Sequence, residues 1–108
     1  MIYTSYFANW RKCGDARKVG IAVGSPIPDV ERRLFPRRES VLLLKSGSIS
    51  KLDFCKEYMA QLGKLDPGEI YRDLDGTVLL CFEGKDEFCH RHLVAEWLRR
   101  NGYDVREL

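Results

Sequence analysis

Five side chains capable of chemistry fall within eleven consecutive positions: Cys81, Glu83, Cys89, His90 and Arg91. Two thiols offer nucleophiles, the imidazole a proton acceptor or donor, the carboxylate an orienting or proton-handling partner, and the guanidinium an anion clamp. The window spans the end of a strand-like run, Thr77–Phe82 (TVLLCF), a short polar loop, and the start of a helix-like run, Cys89–Asn101. In open α/β folds ligands gather at the carboxyl ends of strands, so position and residue type point the same way.

Spacing separates the two histidines. Cys89 and His90 lie one turn ahead of Leu93, Val94, Trp97 and Leu98, and so continue the apolar stripe toward the sheet. His92 aligns instead with Glu96 and Arg99 on the polar face. Cys81 and Glu83 are two apart, which puts them on one face if the strand runs through Glu83. Cys89 opens the helix, where unpaired N–H groups favour a thiolate or a bound anion. The alternative is that both cysteines are small buried residues and His90 bonds a backbone carbonyl. The C-x7-C-H spacing is not that of paired C-x2-C zinc knuckles, and no metal is expected. Cys13, in a polar loop, and Cys55, on a helix stripe, read as incidental.

The elements that must hold these groups are legible along the chain. Ile2–Phe7 reads as a first strand and Val19–Val23 as a second, stopped by the two prolines of Gly24-Ser25-Pro26-Ile27-Pro28. Asn9–Lys18 reads as a loop and Asp29–Leu34 as a brief helical turn. Arg37–Lys45 reads as a buried helix after Pro36. Ser50–Leu62 is a helix with Leu52, Cys55, Tyr58, Met59 and Leu62 as its stripe, capped by Ser50 with Asp53 three residues on. Asp66 and Pro67 open a shorter helix through Leu74, and Asp104–Leu108 reads as an edge strand. The order implies a single-domain α/β fold over residues 1–108, with a largely parallel sheet of about four strands flanked by helices. Hydroxyls of Thr4 and Ser5 near the end of the first strand, and Ser25 after the second, then lie on the same rim as Cys81 and are expected to contact a ligand.

Composition narrows the class. The chain has 108 residues and a net charge of +2, with no apolar run approaching a membrane span. The first residues lack a basic region followed by an apolar one, so a cytoplasmic protein with mostly reduced thiols is expected. Residues 1–50 carry nine Lys/Arg against four Asp/Glu, whereas 51–108 carry nine against twelve. The basic doublets Arg11-Lys12, Arg17-Lys18, Arg32-Arg33 and Arg37-Arg38 either meet phosphates or are simply solvated.

The pattern L-L-C-F-E…F-C-H-R-H-L-V-A-E-W-L resembles the hallmark of domain-of-unknown-function family 488. The likeness extends to Ile2-Tyr3-Thr4-Ser5-Tyr6, to Gly20-Ile21-Ala22 and the proline after it, and to the Tyr58…Leu62…Leu65-Asp66 region. The resemblance implies a compact α/β domain with Cys81, Glu83, Cys89, His90 and Arg91 on the family motif, and no particular reaction. Gly24–Phe35 departs from that pattern, being shorter and poor in aromatics.

The leading expectation is an enzyme acting on a phosphate-bearing ligand, such as a nucleotide or nucleic-acid component. Cys81 or Cys89 is then the reactive thiol, His90 the acid/base, Glu83 its partner, and Arg91, Thr4, Ser5 and Ser25 the ligand contacts. The alternatives are a non-catalytic module binding an anionic small molecule or nucleic acid, and a thiol redox protein built on Cys81 and Cys89. No cofactor is named by the sequence, and no membrane partner is expected.

Overall fold

A computed structural model describes residues 1–84 and 87–108. Lys85 and Asp86, in the polar loop expected after the third strand, lie outside the described residues. Four strands, β1 (Ile2–Tyr6), β2 (Arg17–Gly20), β3 (Thr77–Cys81) and β4 (Val105–Glu107), form an all-parallel sheet in the order β2-β3-β1-β4. The expected small α/β domain with a parallel sheet is what the chain forms. β3 is buried along its whole length, as its unbroken apolar run requires of a strand covered on both faces.

Among the described residues, four α-helices accompany the sheet: α1 (Arg38–Lys45), α2 (Lys51–Leu62), α3 (Pro67–Leu74) and α4 (His90–Arg100). Each start has a local cause. Ser50 and Asp53 form a reciprocal capping box on α2. Asp66 accepts from the N–H groups of Gly68 and Glu69, with Pro67 in the first turn of α3. Parallel strands need long crossovers, and α4 is the one that carries the chain from β3 to β4.

Several local expectations change. Phe7–Cys13 is a 3-10 helix, where the sequence predicts that Phe7 ends the first strand and that Asn9 onward forms a loop, and the Phe7 ring meets Phe82 beyond β3 at 4.8 Å in a tilted contact. The second strand is Arg17–Gly20, earlier than Val19–Val23. It ends because the chain folds back: Gly20 N–H donates to Asp29 O (2.9 Å) and Glu31 N–H to Gly20 O (3.0 Å). Gly20 must be glycine at this approach, since a Cβ there would strike the Ser25 side chain. α2 buries Phe54, Tyr58 and Leu62, an i, i+4, i+8 row, and leaves Leu52 in solvent. α1 is helical as its flanking signals require, yet it is not a core helix. Only Ser40 is buried, and Leu42 and Leu43 are exposed. No helix among the described residues is long and apolar enough to cross a membrane.

Candidate thiol site at the carboxyl ends of the strands

β3 ends at Cys81, and the chain turns through Phe82 and Glu83 before Cys89 caps α4 in extended backbone (φ −150°, ψ 144°). Strand end and helix start are thereby brought side by side. Cys81 and Cys89 are joined as a disulfide, with Cα atoms 7.4 Å apart, whereas Cys13 and Cys55 are free thiols. The expectation of reduced thiols therefore gives way for this pair. Adjacency imposed by the turn puts the two sulfurs in contact.

The two cysteines differ in what they border. Both are buried, but Cys89, with His90, is among the residues that line a cavity of about 780 Å³, and Cys81 is not. The Glu83 carboxylate comes within 4.8 Å of both sulfurs. It does so from the turn, because β3 stops at Cys81 and does not carry Glu83 on a strand face. Cys81, Glu83 and Cys89 are the donor set a metal ion would find among the described residues. The set can converge on an ion only when the two thiols are reduced.

His90 points inward as the spacing predicts, and it is 7% exposed. Its Nε2 lies 2.6 Å from the Ile21 carbonyl, which can only accept, so Nε2 carries the proton. Nδ1 is then a bare acceptor, 3.8 Å from the Cys89 sulfur. Burial pushes the imidazole down to about 4, outweighing the Ile21 hydrogen bond, with the Arg91 charge lowering it further. His90 is thus a neutral acceptor beside Cys89 at pH 7 and not a stored proton. The carbonyl bond is the bland alternative read from the sequence, and it is present together with the contact to sulfur.

Arg91 overturns its expected role. The side chain is fully buried, and all five N–H donors are engaged. Nε donates to the Glu107 carboxylate at 3.1 Å. Nη2 donates to Glu107 (2.9 Å) and to Gly84 O (3.0 Å), and Nη1 to Glu83 O (2.6 Å) and Cys81 Sγ (2.9 Å). A guanidinium so saturated has no fork left for a phosphate. It holds the turn after β3 and places a positive charge beside the Cys81 sulfur.

The three hydroxyls move as well. Thr4 and Ser5 are interior to β1 and completely buried, because the strand runs on to Tyr6, the register partner of Cys81. Thr4 donates to the Glu107 carboxylate at 2.6 Å, and Ser5 accepts from Asn9 at 3.1 Å. Ser25 closes its own loop, donating to Ile27 O and accepting from Ile27 N–H. None of the three faces the cavity. Glu107, which the sequence left unmarked, joins the site through β4, and Tyr6, from the hydroxyl-rich end of the first strand, places its ring 5.7 Å from the Arg91 guanidinium carbon. The one signal for Glu107 was a carboxylate in an edge strand beside a lone inward arginine.

The basic doublets do not pool. Arg17 pairs with Asp29, Arg33 with Glu31 and Asp73, and Arg37 with Glu39 and Glu57, while Arg38 stands at the cavity. No known family, curated protein or solved structure matches the chain.

Proposed function

We propose that the chain is a thiol–disulfide exchange protein in which Cys89 is the attacking and Cys81 the resolving thiol. The observation that carries this reading is the Cys81–Cys89 bridge at the carboxyl end of β3, with Cys89 and not Cys81 among the residues that line a cavity. In the reduced protein the Cys89 thiolate attacks one sulfur of a substrate disulfide R–S–S–R. A mixed Cys89–S–S–R bond forms and RS⁻ leaves. The Cys81 thiolate, next to Arg91, then attacks the Cys89 sulfur, expelling the second RS⁻ and forming the internal bridge. The protein dithiol loses two electrons and the substrate disulfide gains them.

The local groups fit this division. Cys89 caps α4, whose N-terminal N–H groups favour its anion, and the neutral Nδ1 of His90 can accept its S–H hydrogen bond. Reading the same residues as a phosphate site draws no support from Arg91, whose donors are spent within the protein. The resemblance to family 488 supports the grouping of these five residues and leaves their chemistry open.

The experiment is a trapping assay on the reduced protein with a small disulfide, read by intact mass. Cys81→Ser is expected to stop at a stable mixed disulfide on Cys89, and Cys89→Ser to form neither adduct nor bridge. Adducts spread over Cys13 and Cys55, with none on Cys89, would overturn the reading.

A further inference from the structure

The cavity above Cys89 carries a chemical preference of its own. One wall is α1: Arg38, Val41, Leu42 and Lys45 follow one another at i, i+3, i+4 and i+7, with Leu44 beside them. A cation therefore stands at each end of a short aliphatic strip. Lys51, at the start of α2, adds a third positive charge and lies over the Phe88 ring at 5.7 Å. Phe54, Phe82 and Phe88 supply aromatic surface between the helices and the thiol. Among the described residues, Glu83 and Glu87 are the carboxylates of the lining, and both belong to the turn that holds the sulfurs. Among these residues the cations are on the helices and the acids on the turn.

Three further facts bear on the occupant. A volume of about 780 Å³ suits a small molecule. The mouth exposes Val23 (41%), Leu42 (57%) and Phe82 (52%), apolar surface that a purely ionic ligand would leave in water. The Cys89 sulfur lies within 4.8 Å of the Glu83 carboxylate, so an acid stands beside the thiol. A ligand that fits reaches Cys89 with a sulfur, rests a ring or alkyl body on the phenylalanines, and places an anionic group against Arg38 or Lys45.

Building on the exchange reading, we infer that the substrates of this site are low-molecular-weight aromatic or aliphatic disulfides bearing a carboxylate, sulfonate or similar anion. The cations of α1 select the anion, the aromatic lining selects the body, and Cys89 performs the first exchange. Cationic disulfides are disfavoured by the same two features.

The test compares three probe disulfides on the freshly reduced protein by stopped flow. They are 5,5′-dithiobis(2-nitrobenzoate), which is aromatic and anionic; 4,4′-dithiodipyridine, aromatic and neutral; and cystamine, aliphatic and cationic. Each rate is divided by that of N-acetylcysteine with the same probe, and the reacting cysteine is identified by peptide mapping. The anionic aromatic probe is expected to lead cystamine by at least about tenfold in normalised rate. Arg38→Ala/Lys45→Ala is expected to lower the anionic rate by about three- to tenfold, the scale of two partly screened charges, with dithiodipyridine unchanged. Equal normalised rates for all three probes at a reactive Cys89 would overturn this inference and leave the exchange reading standing. So would a double variant that keeps the full anionic rate. A Cys89 inert to every probe overturns the exchange reading itself.

Discussion

His90 shows how one side chain can be both structural and chemical. Its ring fills space against Tyr58 in an edge contact (5.5 Å), donates to Ile21 O, and still presents a lone pair to Cys89. Burial keeps it neutral, which has a consequence for stability. The folded-state value of about 4 lies below the ordinary value near 6.5, so on acidification the unfolded chain binds this proton first. Stability from this group is fully present above about pH 6.5 and drains away as the pH falls toward 4. Between pH 7 and pH 5 the loss is about 2 kcal/mol. Most carboxylates remain ionised over that interval, so the slope belongs largely to His90. Urea unfolding at pH 7, 6 and 5 should show it, and His90→Gln, which keeps a donor for Ile21 O, should flatten the profile. A wild-type curve already flat across this range would mean that His90 is not held neutral in the fold. The inward direction of this residue was legible from helical spacing alone. Its carbonyl partner was not, since Ile21 is 69 residues away.

At the scale of elements, the Arg91–Glu107–Thr4 cluster ties α4, β4 and β1 together. Thr4 and Glu107 are register partners across the β1–β4 pair, and Arg91 closes the cluster from the helix. Removing the guanidinium leaves a largely enclosed carboxylate without its charge partner. Arg91→Met is expected to cost about 3–5 kcal/mol in urea unfolding. Arg91→Met/Glu107→Met should recover a substantial part, with a coupling of at least about 1 kcal/mol in the double-mutant cycle. Additive losses would show that the two residues contribute separately. By contrast, Ser50→Ala should cost only about 1 kcal/mol, the worth of one helix cap, without altering thiol chemistry. The contrast mirrors what could be read beforehand. α2, α3 and α4 announce themselves because caps, glycines and periodic apolar residues act within a few positions. The pairing of β4 with β1 joins the two ends of the sequence, and no local pattern encodes it. Arg91 was mistaken for an anion clamp for that reason: its neighbours in sequence suggest a ligand site, while its carboxylate arrives through tertiary structure. α1 was misjudged differently. Its leucines satisfy the pattern of a core helix, but Leu42 and Leu44 line an open cavity and Leu43 is exposed, and hydrophobicity alone does not say which side of a pocket a residue occupies.

For the molecule as a whole, the sheet delivers the carboxyl ends of its parallel strands to one edge, and the bridge forms where β3 hands over to α4. A cross-link at that junction changes the freedom of the unfolded chain as well as the chemistry of the site. The cysteines are eight positions apart, and closing a loop of that size restricts the unfolded state by ~2.5 kcal/mol on the chain-entropy account. In a domain of 108 residues this corresponds to a rise in melting temperature of about 10 °C. Oxidised protein should therefore melt well above the same protein in excess reductant, and Cys81→Ser/Cys89→Ser should melt alike in both. Amides of β3 and α2 that exchange only through global unfolding should gain the same ~2.5 kcal/mol of protection on oxidation. Beyond that uniform gain, slowing of amides that exchange by local opening should concentrate in Phe88–Arg91, next to the bridge. Core amides whose protection is the same in both redox states would mean that the bridge adds nothing to global stability. Confinement of the local effect to the turn is what an exchange site requires, because a dithiol must open and close many times on a scaffold that does not come apart with it.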